Sequence, residues 1–138
     1  MSILITGAAG FIGFHASLSL LKKQKRIIGI DNLNNYYDVN LKKDRLKILK
    51  NYKNFDFYKY NIQDKNLHKK LKNKKIDLII NLAAQAGVRH SLKDPYSYIE
   101  SNVLGQLNIL VLAKKNNIEK IIYASSSSAH GGNKIITF

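Results

Sequence analysis

The 138-residue sequence has no cysteine, few acids and no long apolar run. Without cysteine it offers neither a disulfide framework nor a thiolate metal site. Its most apolar stretches, such as residues 76–84, are too short and too interrupted to span a bilayer. No N-terminal segment has the basic-then-apolar form of a signal peptide, so a soluble, cytoplasmic protein with no membrane partner is expected.

Acids number 9 against 23 Lys and Arg, a formal net charge of +14 at pH 7. Such a surplus is compatible with a nucleic-acid partner or an anionic ligand. Lys, however, supplies 20 of the 23 basic residues. Asn and Ile are abundant too, the joint mark of an AT-rich coding sequence. Between Lys42 and Lys75 the lysines alternate with apolar positions, as solvent-facing charges do on surface helices. There is no helix-turn-helix pattern and no Arg–aromatic stripe, so no nucleic-acid partner is expected. His15, His68, His90 and His130 lack metal-ligand spacing, and no metal site is expected.

What is present is a globular composition, 45% hydrophobic, sufficient for one domain with a sizeable core. Apolar strands are predicted at residues 2–6, 26–31, 55–61, 76–82 and 120–125. Helices are predicted at 11–23, 40–50 and 65–73, with a further one from Tyr96 that carries Ile99, Val103, Leu107, Leu110 and Val111 at helical spacing. A long loop, 83–95, precedes that last helix. The 76–82 run is nearly all apolar, as a strand covered on both faces should be. Strands alternating with helices predict the α/β class: a doubly wound, Rossmann-type parallel sheet of about five strands, helices on both faces. No repeat, linker or low-complexity tract divides residues 1–138.

Gly7, Gly10 and Gly13 stand three residues apart between the first strand and the first helix. In that place the first glycine permits a tight turn, the second lets backbone approach a pyrophosphate, and the third lets the helix pack closely. The N–H groups that open the helix at Phe11 and Ile12 would then face phosphate. Asp31 closes the second strand, 18 positions after Gly13. A carboxylate there accepts from the adenosine ribose hydroxyls and repels a 2′-phosphate, which favours NAD over NADP.

These residues, together with two longer stretches, carry a family resemblance. The stretches are Gly29-Ile-Asp-Asn-Leu-Asn-Asn-Tyr-Tyr-Asp-Val-Asn-Leu41 and Asn81-Leu-Ala-Ala-Gln-Ala-Gly-Val-Arg89. The chain resembles the extended short-chain dehydrogenase/reductase superfamily, and within it the nucleotide-sugar epimerases of the UDP-glucuronate type. The resemblance runs on through Tyr123-Ala-Ser-Ser-Ser-Ser-Ala-His-Gly131. It implies NAD as cofactor, with Leu82, Ala83 and Ala84 beside the nicotinamide riboside. Asn32, Leu33 and Asn34 would extend the adenosine contact, and Asn61 and Ile62 would flank the adenine, Asn61 where the family has Asp. Asn102 matches a family Asn that faces the site, and Arg89 lies in a loop near the substrate.

The family reaction removes a proton from the sugar 4-hydroxyl and passes hydride from C4 to NAD, then returns it to the other face. The resemblance places the Ser or Thr that binds the reacting hydroxyl at Ser126, with Ser127 and Ser128 beside it towards the substrate. The family's catalytic pair is Tyr with Lys four residues later. None of the eight tyrosines here has Lys at that distance. The expectation is therefore an NAD-binding part of a nucleotide-sugar 4-epimerase, without its substrate domain and catalytically incompetent alone. Completion by a separate polypeptide, and kinship with related dehydratases or decarboxylases, stay open. So does self-association through the last helix.

Overall fold

The computed structural model describes residues 1–126. Five parallel strands form one sheet: β1 (Ser2–Thr6), β2 (Arg26–Ile30), β3 (Phe55–Tyr58), β4 (Leu78–Asn81) and β5 (Ile121–Tyr123). Their order across the sheet is β3-β2-β1-β4-β5. The chain therefore winds outward one way as far as β3, crosses back over β1, and continues the other way. Ligand crevices in such sheets open at that reversal, beyond the carboxyl ends of the strands flanking it.

The periodicity explains the two layers. Ile3 and Ile5 face one side of β1 and Leu4 the other, and all are buried. On the first side, α1 (Phe11–Lys22) and α2 (Val39–Lys50) cover the sheet through Phe14, Leu21, Leu46 and Leu49. On the second, the short helix α3 (Leu67–Lys70) and α6 (Gly105–Lys115) cover it through Leu67, Ile109, Leu112 and Ala113. Burying each Leu or Ile contributes roughly 1.5–3 kcal/mol. The predicted α/β class and its doubly wound parallel sheet are what the chain adopts.

Several boundaries differ from those predicted. β3 ends at Tyr58 rather than residue 61, because the Tyr60 N–H turns back to the Tyr58 carbonyl at 3.0 Å. The 83–95 segment contains a helical turn, α4 (Val88–Ser91), and α5 (Pro95–Tyr98) follows. From α5 the helix runs without a break through a π-turn at Ile99–Leu104 into α6. Its predicted apolar stripe is real but faces outward: Ile99, Val103, Leu107 and Leu110 are all exposed. Among the described residues, no helix is long and apolar enough to cross a membrane. Among them too, no group of three or more His, Asp or Glu is placed to hold a metal ion.

Candidate functional site

The glycine segment leaves β1 in a left-handed turn at Gly7, φ +66°. An L side chain in that conformation costs roughly 1–2 kcal/mol. A Cβ at Gly7 would also stand 3.1 Å from the Ala83 backbone. Gly7 thus serves both the turn and the close approach to the chain leaving β4. The Gly10 N–H returns to the Gly7 carbonyl at 2.9 Å, and the Gly10 carbonyl accepts the first helical bond from Phe14. Gly13 lies against the same Gly7 carbonyl, which a Cβ would overlap. The third glycine therefore seats α1 on the loop rather than on a strand. The N–H groups of Phe11 and Ile12 open α1, where a helix has no internal partner for them. Both side chains are exposed.

Asp31, at the tip of β2, is buried. Its two carboxylate oxygens accept from the Ala9 N–H at 3.1 Å and from the Leu33 N–H at 2.8 Å. The carboxylate is thus held by the glycine segment on one side and by its own loop on the other. Each oxygen keeps a second acceptor site.

Beside Asp31 lies a residue that the sequence reading misplaces. Lys42 belongs to the run expected to face solvent, but its side chain is only 5% exposed. Its ammonium stands 4.0 Å from Asp31 and donates to the Asn34 carbonyl at 3.0 Å and to Asn34 Oδ1 at 2.6 Å. The reason is helical register. Lys42 shares the inner face of α2 with Leu46 and Leu49. Burial pulls the Lys42 ammonium below its ordinary value, and neighbouring Arg45 adds to this, while Asp31 partly offsets it. That spacing was the available signal; the lysine-rich composition masked it.

Across the groove, β4 ends in a side-chain network. Thr6 Oγ1 donates to Asn81 Oδ1 at 2.5 Å and accepts from the N–H groups of Leu82 and Ala83 at 3.0 and 2.9 Å. Asn81 donates in turn to Gln106 of α6 at 2.6 Å. Further along, Gly87 (φ +97°) abuts Tyr36 from the β2–α2 loop, and a Cβ there would overlap the Tyr36 hydroxyl. Tyr98 donates to the carbonyls of Ala86 and Gly87. Burial and the neighbouring Tyr36 hold the Tyr98 phenol above its ordinary value.

These walls border a groove of about 170 Å³, partly open to solvent. Gly7, Gly10 and Asp31 line it, with Asn32 and Asn34 beyond them. Asn61 and Ile62 flank one end, and Leu82, Ala83 and Ala84 the other. Phe11, Ile12 and Gly13 open α1 next to the lining glycines and are not themselves among the lining residues. Asn102 reaches the groove only through Gln85. Arg89 is on the exposed turn α4 and lines no part of the groove. Ser126 is the last described residue and is exposed; Ser127 and Ser128 lie outside the described residues. Groove residues that sequence reasoning missed include Lys42, Tyr36, Tyr60 and Gln85.

Comparison with known proteins agrees with this fold. The chain is 54% identical to an uncharacterized protein of Methanocaldococcus jannaschii, over 99% of its own length and 43% of that protein's. It is 45% identical to UDP-glucuronate 4-epimerase of Thermodesulfobacterium geofontis, over 94% of this chain and 40% of the relative. Among solved structures, UDP-glucuronic acid 4-epimerase from Bacillus cereus in complex with UDP-glucuronic acid and NAD superposes with a TM-score of 0.88. The identity there is 34%, covering 100% of this chain and 44% of that one. The chain thus spans about two-fifths of the length of the relatives it matches. Residues 3–137 fit the model of one family, and the chain belongs to it: the NAD dependent epimerase/dehydratase family.

Proposed function

We propose that this chain is the NAD seat of a nucleotide-sugar 4-epimerase of the UDP-glucuronate type. The observation that carries the reading is the aim of Asp31. Two backbone N–H groups hold its carboxylate at the rim of a groove that starts at the glycine turn. The oxygens' remaining acceptor sites suit a pair of vicinal ribose hydroxyls. The residues fit the rest of the cofactor as well. A side chain at Gly7 or Gly13 would close the turn, and the N–H groups of Phe11 and Ile12 offer donors to a pyrophosphate. Asn61 and Ile62 would flank the adenine, and Leu82, Ala83 and Ala84 the nicotinamide riboside.

When bound, NAD supplies acceptance and return of a hydride at the sugar carbon. This chain's residues bind and orient the cofactor, and the buried Asp31 disfavours a 2′-phosphate through like charge. The base that removes the hydroxyl proton is not among them, since the 138 residues contain no Tyr followed by Lys four positions later. The chain alone is therefore proposed to bind without turnover.

Titration calorimetry of the full chain with NAD tests the reading. We expect binding, at least about tenfold weaker for NADP and for Asp31→Asn, the scale of one charge-assisted hydrogen bond. Absence of heat from both NAD and NADH on folded protein would overturn the seat. Conversion of UDP-glucuronate at an enzymatic rate by the same preparation would overturn the proposed lack of turnover.

A further inference from the structure

A second recess lies at the amino ends of the strands, opposite the groove, and shares no lining residue with it. Its volume is about 420 Å³, within the range of roughly 300–1,000 Å³ that small-molecule sites occupy, and it is partly open to solvent. Alternation along the strands builds its inner wall. Ser2 opens β1 and faces the α3–α6 side of the sheet with Leu4, because Ile3 and Ile5 face the other. Arg26 opens β2 beside Ser2 in register and shares that face with Ile28. The turn after α3 brings Asn73, Lys74 and Lys75 to this corner, and Asp77, just before β4, completes the lining. The Asp77 N–H donates to the Ser2 carbonyl at 2.9 Å, and Asp77 Oδ2 accepts from the Ser2 N–H at 2.7 Å.

The lining carries donors and acceptors to spare. Arg26 gives Nη2 to Asp56 at 3.0 Å, and its other two nitrogens have no hydrogen-bond partner among the described residues. Lys74 stands 4.8 Å from the centre of the Tyr58 ring, and Lys75 is exposed. Lysines in the last turns of α1, α2 and α6 are accounted for by the negative ends of those helices. Arg26, at the start of a strand, is not. Asp77 Oδ2 lies 4.0 Å from the terminal ammonium, while Oδ1 accepts no hydrogen bond among the described residues. Among those residues only Ser2 and Ser17 bury a side-chain oxygen without a partner. Ser17 lies inside α1, where a hydroxyl can turn to the carbonyl four residues earlier. Ser2 has no such carbonyl, and it lines the recess. A buried hydroxyl without a partner costs about 1–3 kcal/mol, so this wall gains from a polar group placed against it.

We infer that this recess is a second binding site, for a hydroxyl-bearing phosphate ester of about the size of a hexose phosphate. Arg26, Lys74 and Lys75 supply three cations to a phosphate that carries about 1.5–2 negative charges at pH 7. The guanidinium fork can meet two phosphate oxygens at once, and each ammonium adds a point charge. Asp77 in the same lining repels a bare phosphate, so it selects a ligand that also brings hydroxyl donors. Its open oxygen and the Asn73 carboxamide accept from such hydroxyls. The site stands apart from the NAD reading, because no residue serves both.

NMR titration of the full chain with glucose 6-phosphate, inorganic phosphate and glucose tests this. Glucose 6-phosphate should shift the Arg26, Lys75 and Asp77 amides and leave those of Gly10 and Asp31 in place. Its affinity should exceed that of phosphate or glucose at least about tenfold, the scale of one charge-assisted hydrogen bond. Arg26→Gln and Lys75→Gln, both exposed changes, should each weaken it, Arg26→Gln by about tenfold and Lys75→Gln by less. Asp77→Asn should narrow the preference over inorganic phosphate, since the repulsion leaves with the carboxylate. No shift at the recess amides in millimolar ligand, or shifts confined to the groove, overturns the inference. Equal affinity for inorganic phosphate in wild type overturns the assigned ligand class. Unchanged affinity in both Arg26→Gln and Lys75→Gln overturns the assigned cations, and an unchanged preference in Asp77→Asn overturns its selective role.

Discussion

The two ends of the groove are built by different means. At the Asp31 end, the adenosine end on the proposed reading, the chain holds itself. Gly7 accepts from Gly10, Asp31 accepts from Ala9 and Leu33, and Lys42 donates to Asn34. All but one of these contacts lie within eight residues along the chain; Asp31 to Ala9 is the exception, at 22. At the far end the wall 82–87 is held by side chains from elsewhere: Thr6 at 76 and 77 residues' separation, Asn102 at 17, Tyr98 at 12 and 11, and Tyr36 across the mouth. The first end is a local motif. The second is a tertiary one, and its stability depends on helices that must already be packed.

That difference predicts unequal tolerance of the same small change. A methyl group at Gly13 meets backbone, the Gly7 carbonyl, which has no freedom to retreat without moving the turn. Gly13→Ala should cost about 3 kcal/mol, the upper part of the range for overpacking, and should abolish nucleotide binding. Urea unfolding measures the first effect and calorimetry the second. A loss below about 1 kcal/mol would mean that the turn yields, and the adenosine end would no longer count as the rigid one.

The same contrast explains what could be read from the sequence. The parallel sheet and the α/β class follow from periodicity and spacing, because parallel strands covered on both faces must be apolar runs such as Ile79 and Ile80. Asp31 was legible from its place at the end of the second strand, 18 positions after Gly13, although one of its two backbone partners, Ala9, lies 22 residues away. The Asn102 grip was not: nothing in Ile99–Leu104 announces an extra residue in the turn, and helical spacing alone directs Asn102 toward the core. Lys42 was hidden for a different reason. Its helical neighbours Leu46 and Leu49 mark its face as inward, but a run of similar lysines invites the opposite assignment. Arg89, expected near the substrate, lies on the exposed turn α4 and lines no part of the groove.

At the far end, Gly87 offers a smaller and differently shaped effect. Its φ of +97° disfavours any L side chain, and an added Cβ would overlap the Tyr36 hydroxyl. That obstacle is the end of a half-exposed side chain, which can swing aside. Gly87→Ala should therefore cost about 1 kcal/mol, mostly from the backbone conformation. It should also displace Tyr36 from the groove mouth, read as a changed Tyr36 ring shift by NMR. The comparison between the ends breaks if Gly87→Ala proves as damaging as Gly13→Ala.

Lys42 sets the finest test, because it places a charge inside the otherwise backbone-held adenosine end. Burial lowers its folded-state value below the 10.5 of an ordinary lysine. Over the interval between the lowered value and 10.5, the unfolded chain binds the proton that the folded chain has released. Stability then rises with pH across that interval, and below it the full burial cost applies. Lys42→Met removes this titration and keeps an unbranched apolar stem on the inner face of α2. Urea unfolding of both proteins from pH 7 to 10.5 should show wild type gaining on the variant as pH rises, by less than either glycine effect. A constant difference would mean that Lys42 keeps its proton at an ordinary lysine's value, and that its ion pair with Asp31 offsets the burial. In that case the adenosine end would be held by charge as much as by backbone, and the sharp distinction from the far end would narrow.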